Sequence, residues 1–144
     1  MNVVSEPNDP AFVWLVRVYW EDTDAGGVVY HSRYLNFFER ARTEWLRAHG
    51  IDQTRLAQRD GRVFAIRHMN IDWLQAARLD DELQISVFDV SAGGSRLRFS
   101  QRMSRAGDGA LIATAEVTAA CLDAATFKPV RMPDWVRSEI KHVE

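Results

Sequence analysis

The sequence predicts an α+β fold in which a five-stranded antiparallel sheet wraps around one long central helix. Apolar residues recur at helical spacing across residues 34–48. One strand-like segment precedes this helix and four follow it, with glycine-containing turns between several of them. Because the strands are segregated from a single aromatic-rich helix, the sheet is expected to cover that helix.

The first strand is predicted at Phe12–Trp20, which is rich in aromatic and β-branched side chains. Its apolar run is almost continuous, so both of its faces are expected to be buried. Acidic and glycine residues at 21–27 then favour a turn, which ends the strand before the helix begins.

The long helix is predicted from a stripe of apolar side chains, formed by Tyr34, Phe37, Phe38, Ala41, Trp45 and Ala48. The other face carries oppositely charged pairs at helical spacing, namely Glu39–Arg42, Arg40–Glu44 and Glu44–Arg47. Gly50 is the expected end of the helix, since glycine readily adopts the left-handed conformation found there. The aromatic stripe predicts a central helix that is largely wrapped.

A helical turn is expected at Thr54–Arg59, before the chain becomes mostly β. The remaining strands are predicted at Val63–Leu74, with an irregularity near Asn70, and at Leu83–Val90, Arg96–Met103 and Leu111–Leu122. In the third of these four strands, apolar and polar side chains alternate cleanly, as on a strand with one buried face. Pro133 at a first helical position predicts a short C-terminal helix.

This order of elements is the layout of a hotdog domain. An open five-stranded sheet leaves edges with unpaired backbone groups, and pairing two subunits edge to edge is one way to cover them. We therefore expect a homo-oligomer, either a dimer or a dimer of dimers. Residues 1–10, with two prolines and no apolar period, are expected to form a flexible tail ahead of a single domain at 11–144.

The composition fits one globular domain, since the 144 residues include 47% hydrophobic and 26% charged side chains. A formal net charge of −2 argues against general binding of nucleic acid. No segment approaches the ~20 apolar residues of a membrane-spanning helix, and the N-terminus lacks the pattern of a secretion signal. We expect a soluble protein, and the single cysteine, Cys121, fits a reducing cytoplasmic compartment.

Asp24 and His31 are the first candidates for chemistry, because they flank the turn between the first strand and the helix. A carboxylate there could act as a base while glycine-rich backbone amides face a developing oxyanion, and the imidazole could orient water. Each residue also has a plainer interpretation. Asp22, Thr23 and Asp24 could merely satisfy turn amides, and His31 could bond to backbone at the helix entry. The other histidines show no ligand spacing, so no metal site is expected.

Two further groups allow a functional or a structural interpretation. Four aromatic residues could line an acyl pocket or simply belong to the core: Tyr19, Trp20, Tyr30 and Tyr34. Four arginines could meet the phosphates of a nucleotide-bearing substrate or form a solvated outer face or a subunit contact: Arg96, Arg98, Arg102 and Arg105. The sequence contains no GxxxxGK, GxGxxG or GxSxG, which argues against P-loop, Rossmann and serine-hydrolase chemistry.

One block of the sequence is specific to a known family. It reads RVYWEDTDAGGVVYH at residues 17–31, and it is followed by Tyr34, by ERARTE at 39–44, by AARLDD at 76–81 and by QR at 101–102. In these residues the chain resembles the YbgC-type acyl-CoA thioesterases. They are the Tol-Pal-associated branch of the 4-hydroxybenzoyl-CoA thioesterase hotdog superfamily.

The resemblance implies hydrolysis of acyl-CoA thioesters by a cytoplasmic homo-oligomer, such as a homotetramer, with active sites between subunits. It implies no metal and no cofactor beyond the coenzyme A of the substrate, and it leaves acyl carrier protein open as another carrier. Peripheral contact with the inner membrane is compatible with it.

The family's catalytic aspartate maps onto Asp24 and its motif histidine onto His31. We expect Asp24 to act as a general base or a nucleophile while backbone amides near Gly27 and Val28 polarise the carbonyl. The aromatic residues named above would bind substrate. At Trp20 the family usually has tyrosine, and an indole lacks the phenolic hydroxyl. An acyl-thioester dehydratase and a non-hydrolytic binding module, for acyl carriers or an envelope complex, are the alternative functions.

Overall fold

The computed structural model describes residues 12–141, so the expected tail at residues 1–10 lies outside the described residues. Within them the strands are β1 (Val13–Arg17), β2 (Arg62–Trp73), β3 (Glu82–Gly93), β4 (Arg96–Arg105) and β5 (Leu111–Asp123). The helices are α1 (His31–Ala48), α2 (Gln53–Asp60) and α3 (Asp134–Lys141). All neighbouring strands are antiparallel, in the order β1-β3-β4-β5-β2. The predicted α+β hotdog fold is confirmed, and β1 and β2 lie at its two edges.

The α1 helix supplies the centre of the core, as its apolar stripe predicts. Phe37, Phe38 and Ala41 are fully buried, and Tyr34 and Trp45 are nearly so. Ala48, the last residue of the predicted stripe, is exposed. Gly50 follows with a φ of 78°, which is the left-handed conformation expected where the helix ends.

The predicted charged face of α1 is wrong at one position. Arg42 is only 7% exposed, and its Nη1 donates to Oε1 of Gln101 at 3.0 Å. Of the three predicted ion pairs, Glu44–Arg47 forms at 3.2 Å, whereas neither Glu39–Arg42 nor Arg40–Glu44 comes within 4.0 Å. The side chain of arginine is long enough to reach inward from the border of the apolar stripe, which spacing alone does not reveal.

The prediction that β1 is buried on both faces is also wrong. The strand ends at Arg17, pairs with β3 on one side, and leaves Leu15 49% exposed. Tyr19 and Trp20 lie beyond the strand and are 62% and 81% exposed. An edge strand of an open sheet has no second neighbour, so an apolar run there does not imply double burial.

The four later strands lie where the sequence predicts them, and each difference is local. The irregularity of β2 falls at Arg67, between Ile66 and His68, and not near Asn70. On β4 the inward positions are buried as expected, but they include the polar Gln101. The predicted helical turn after α1 is the two-turn helix α2, capped by Asp52, whose carboxylate accepts from the amides of Thr54 and Arg55.

Arg105 does not belong to the predicted arginine stripe. Side chains alternate across a strand, so Arg105 faces the side opposite Arg96, Arg98 and Arg102. There its guanidinium binds Asp81 at 3.0 Å and Asp108 at 2.9 Å, and it also donates to the Ala76 carbonyl. These bonds tie the turn before β5 to the turn before β3.

Candidate active site

The turn between β1 and α1 is fixed by a buried carboxylate, that of Asp22. Its Oδ2 accepts from the Tyr19 amide at 2.8 Å, and its Oδ1 lies 3.5 Å from Nε of Arg33 on α1. Asp22 is 5% exposed, so these bonds replace the water that its charge would otherwise attract. The interpretation of Asp22 as a residue that satisfies a turn amide is confirmed by the bond from the Tyr19 amide. Its burial and its contact with Arg33 on α1 could not be predicted from the local sequence.

Asp24 sits on the outer side of the same turn, where its carboxylate is exposed. Its Oδ1 accepts from the Gly26 amide at 2.8 Å, and its own amide donates to the Val28 carbonyl at 2.9 Å. A Cβ on Gly26 would lie 3.2 Å from Oδ1, so glycine allows the close approach. The second carboxylate oxygen of Asp24 has no hydrogen-bond partner within residues 12–141. One carboxylate oxygen of Asp24 therefore satisfies a turn amide, and the other oxygen is available for chemistry.

Several backbone amides beside Asp24 have no acceptor. The Gly27 amide donates to the Asp24 carbonyl at 3.0 Å, but in the described chain the Val28 amide donates to no group. The N-terminus of α1 follows at once, and its N-cap residue, Tyr30, supplies no side-chain acceptor. The first helical amides, of His31 and Ser32, likewise lack partners among the described residues. Such a helix end carries partial positive charge and can bind an oxyanion.

A cavity of about 340 Å³ opens beside the start of α1. It is lined by Val28, Val29, His31, Tyr34, Trp73, Leu74, Gln75 and Ala76. The His31 ring lies 4.4 Å from the Tyr30 ring and meets Trp73 edge to face at 6.5 Å. No hydrogen bond joins His31 to Asp24 in the part of the chain described, and Asp24 does not line this cavity. The two motif residues are linked through Val28, which lines the cavity with His31 and whose carbonyl accepts from the Asp24 amide.

The four aromatic residues separate into two kinds. Tyr34 is 3% exposed, and its hydroxyl accepts from the Ala77 amide at 3.0 Å. Tyr19, Trp20 and Tyr30 are exposed, the first two just before the turn that carries Asp24 and the third just after it. Tyr34 thus joins α1 to the segment before β3 in addition to facing the cavity.

We expect Tyr34→Phe to destabilise the fold by about 1–3 kcal/mol, because it leaves the buried Ala77 amide without an acceptor. Urea unfolding followed by tryptophan fluorescence measures this change. Tyr30→Phe is the matched control, since the Tyr30 side chain is 46% exposed. An equal and negligible effect of both substitutions would contradict the structural role of the Tyr34 hydroxyl.

A second, larger groove lies further along α1. Its volume is about 470 Å³, and its walls come from α1, α2 and the strands β2, β4 and β5. The apolar lining includes Leu35, Phe64, Ile66, Met69 and Phe99, and the charged lining consists of Glu39 and Arg42. The sequence patterns did not predict this groove, because it depends on how far the β2 edge stands from the helix.

Arg96 and Arg98 are exposed on the outer face of the sheet, and Arg102 packs over the Phe88 ring at 4.6 Å. No helix among the described residues is long and apolar enough to cross a membrane.

Comparison with known proteins gives consistent matches over nearly the whole chain. The sequence model of the thioesterase-like superfamily matches residues 18–140. Acyl-CoA thioesterase YbgC of Haemophilus influenzae is 42% identical over 136 residues, which cover 94% of this chain and 98% of that protein. Acyl-CoA thioester hydrolase YbgC of Escherichia coli is 45% identical over 135 residues, with coverage of 93% and 98%.

Solved structures show the same fold. The crystal structure of a 1,4-dihydroxy-2-naphthoyl-CoA thioesterase from Synechocystis matches with a TM-score of 0.82 at 24% identity, covering 90% of this chain and 95% of that one. A probable thioesterase from Bartonella henselae matches with a TM-score of 0.76 at 38% identity, covering 84% and 98%.

Proposed function

Because this chain belongs to the thioesterase-like superfamily, and within it to the YbgC acyl-CoA thioesterases, it is a thioester hydrolase, and we propose that Asp24 carries its catalysis. Asp24 either takes a proton from the attacking water or attacks the thioester carbonyl itself. In both routes the C–S bond breaks, coenzyme A leaves as the thiol, and water supplies the hydroxyl of the free acid.

The observation that carries this proposal is the pairing of a held carboxylate with unsatisfied amides in one short turn. One oxygen of Asp24 is fixed by Gly26, and the other has no partner within the described chain. The Val28 amide and the first amides of α1, which have no acceptor among the residues described, lie in the same loop. Preorganised backbone donors of this kind stabilise the negative charge that develops on a carbonyl oxygen. Of the amides expected near Gly27 and Val28, that of Val28 is thus the proposed oxyanion donor, together with the first amides of α1, because the Gly27 amide already donates to the Asp24 carbonyl.

His31 and the surrounding aromatic residues are proposed to position the substrate. The His31 ring lines the cavity beside the free helix amides, within reach of a water or a carbonyl bound there. Tyr19, Trp20, Tyr30 and Tyr34 are proposed to surround the acyl-pantetheine portion. With an indole at position 20, packing and an Nε1 donor replace the phenolic hydroxyl usual in the family.

The site is proposed to lie between subunits of a homo-oligomer. Trp73 and Leu74, which line the His31 cavity, are 45% and 54% exposed at the free edge of β2. An exposed edge strand of twelve residues is a ready surface for pairing with a second copy. Such pairing would exclude water from the cavity and assemble a dimer, or a tetramer as a dimer of dimers.

The family resemblance supports three further parts of the proposal. The reaction takes place in the cytoplasm, in association with the Tol-Pal system. Contact with the inner membrane is peripheral. Acyl carrier protein is the second candidate carrier of the acyl group, beside coenzyme A.

The experiment that tests the proposal measures free-thiol release from short, medium and long acyl-CoAs. We expect stoichiometric thiol and free acid, because hydrolysis breaks the C–S bond. Binding of acyl-CoA without thiol release would indicate a binding module. Loss of water from a 3-hydroxyacyl-CoA, with the thioester intact, would indicate a dehydratase. Either of those two results would overturn the proposal.

A further inference from the structure

Arg42 is a buried cation whose charge the described chain does not neutralise. Its side chain is 7% exposed, and its one side-chain hydrogen bond within residues 12–141 goes to a neutral amide, that of Gln101. No carboxylate among the described residues lies within the 4.0 Å of an ion pair. Burial lowers the pKa of Arg42 to about 10, with Glu39 opposing the shift, so the guanidinium stays charged at neutral pH.

The position of the guanidinium is fixed. Gln101 Nε2 donates to the Phe38 carbonyl at 3.0 Å, which orients the amide so that its Oε1 must accept from Arg42. One of the five N–H groups of Arg42 is used in this bond, and the side chain lines the 470 Å³ groove. The remaining N–H donors of Arg42 are therefore available to a ligand that binds in the groove.

The His31 cavity and the groove lie one after the other along the same two elements, α1 and β2, and the two together are called the cleft below. The cavity is bounded by His31 and Trp73, and the groove by Arg42, Ile66 and Met69 further along the same two elements. His31 and Arg42 are eleven residues apart, which corresponds to a rise of about 16 Å along the helix. The groove volume lies within the ~300–1,000 Å³ of ordinary ligand pockets.

We propose that this cleft holds the acyl chain and that Arg42 binds a carboxylate at its far end, which makes long ω-carboxyacyl thioesters the favoured substrates. The inference rests on the proposed function, since it places the thioester at the N-terminus of α1. The apolar groove walls pack against the methylene chain. A terminal carboxylate then binds the buried guanidinium of Arg42 through charge-assisted hydrogen bonds and neutralises its charge.

Glu39 places a negative charge beside Arg42, which makes the effect of charge on substrate preference testable. Its carboxylate lines the same groove and is exposed. A substrate carboxylate seated at Arg42 is repelled by Glu39, so removal of that negative charge strengthens the preference. Substitutions of Glu39 and Arg42, which lie about one turn apart on α1, thus change the preference in opposite directions. A general folding defect cannot produce this result.

The test compares kcat/KM for ω-carboxyacyl-CoAs and plain acyl-CoAs of matched length, from adipoyl and hexanoyl to dodecanedioyl and lauroyl. We expect wild type to favour the carboxylated member by ~10-fold for the longest pair and not for the shortest, which cannot reach Arg42. Arg42→Met abolishes this preference, Arg42→Lys retains part of it, and Glu39→Gln increases it. Arg40→Met, an exposed position on the same helix, leaves it unchanged.

The possible failures are distinguishable. No thiol release from any acyl-CoA would reject the proposed function. Hydrolysis of plain acyl-CoAs with no preference for a distal carboxylate at any length would reject only the role of Arg42. The role of Arg42 would also be rejected if the preference persisted in Arg42→Met. A loss of subunit association in Arg42→Met with an unchanged preference would reject it as well.

Discussion

Asp24→Asn is expected to lower kcat for acyl-CoA hydrolysis by ~10²–10⁴-fold while the protein stays folded. An amide can neither accept the proton of the attacking water nor attack the thioester. The Oδ1 of asparagine can still accept from the Gly26 amide, so the turn that holds the residue is preserved. Free-thiol release under saturating substrate measures the change in kcat, and the unfolding midpoint in urea shows that the fold is retained.

Asp108→Asn is the matched control for this substitution. Asp108 is also an exposed turn aspartate whose Oδ1 accepts from the amide two residues later, that of Ala110 at 3.0 Å. We expect its substitution to leave kcat unchanged, because it lies in the turn between β4 and β5 and lines neither the His31 cavity nor the groove. Equal rates for wild type and Asp24→Asn would show that another group performs the chemistry.

The chain positions of the helices and strands could be predicted because periodicity is a local property of the sequence. The stripe from Tyr34 to Trp45 fixes which side of α1 faces the sheet, and the alternation in β4 fixes which residues point inward. The burial of β1 could not be predicted in this way. An apolar run shows that a segment can be buried, but only the strand order shows that β1 has one neighbour.

The motif predicts Asp24, His31 and the amides near Gly27 and Val28, but it does not predict which of these amides lacks an acceptor. That depends on which carbonyl each amide reaches in the fold: within residues 12–141 the Gly27 amide donates to Asp24, whereas the Val28 amide has no acceptor. The same limit explains Arg42, which periodicity placed on the solvent face. Its burial depends on Gln101, a residue 59 positions later in the sequence, and no local pattern connects the two.

Phe37→Ala is expected to cost about 3–5 kcal/mol of unfolding free energy, the largest stability effect among the substitutions considered. Phe37 is fully buried in the middle of α1, so truncation removes apolar contacts and leaves a cavity that the surrounding sheet cannot fill. Because domains of this size are stable by only ~5–15 kcal/mol, the variant should unfold at a much lower urea concentration.

Leu35→Ala on the same helix separates burial from helix propensity. Leu35 is 37% exposed, and alanine is the best helix former, so this substitution is expected to cost much less than Phe37→Ala. The two variants differ in how much surface the folded chain has removed from water, and both shorten an apolar side chain on α1. Similar losses of stability in the two would mean that α1 is not the enclosed centre of the core, and the position of the Asp24 turn at its N-terminus would then need another explanation.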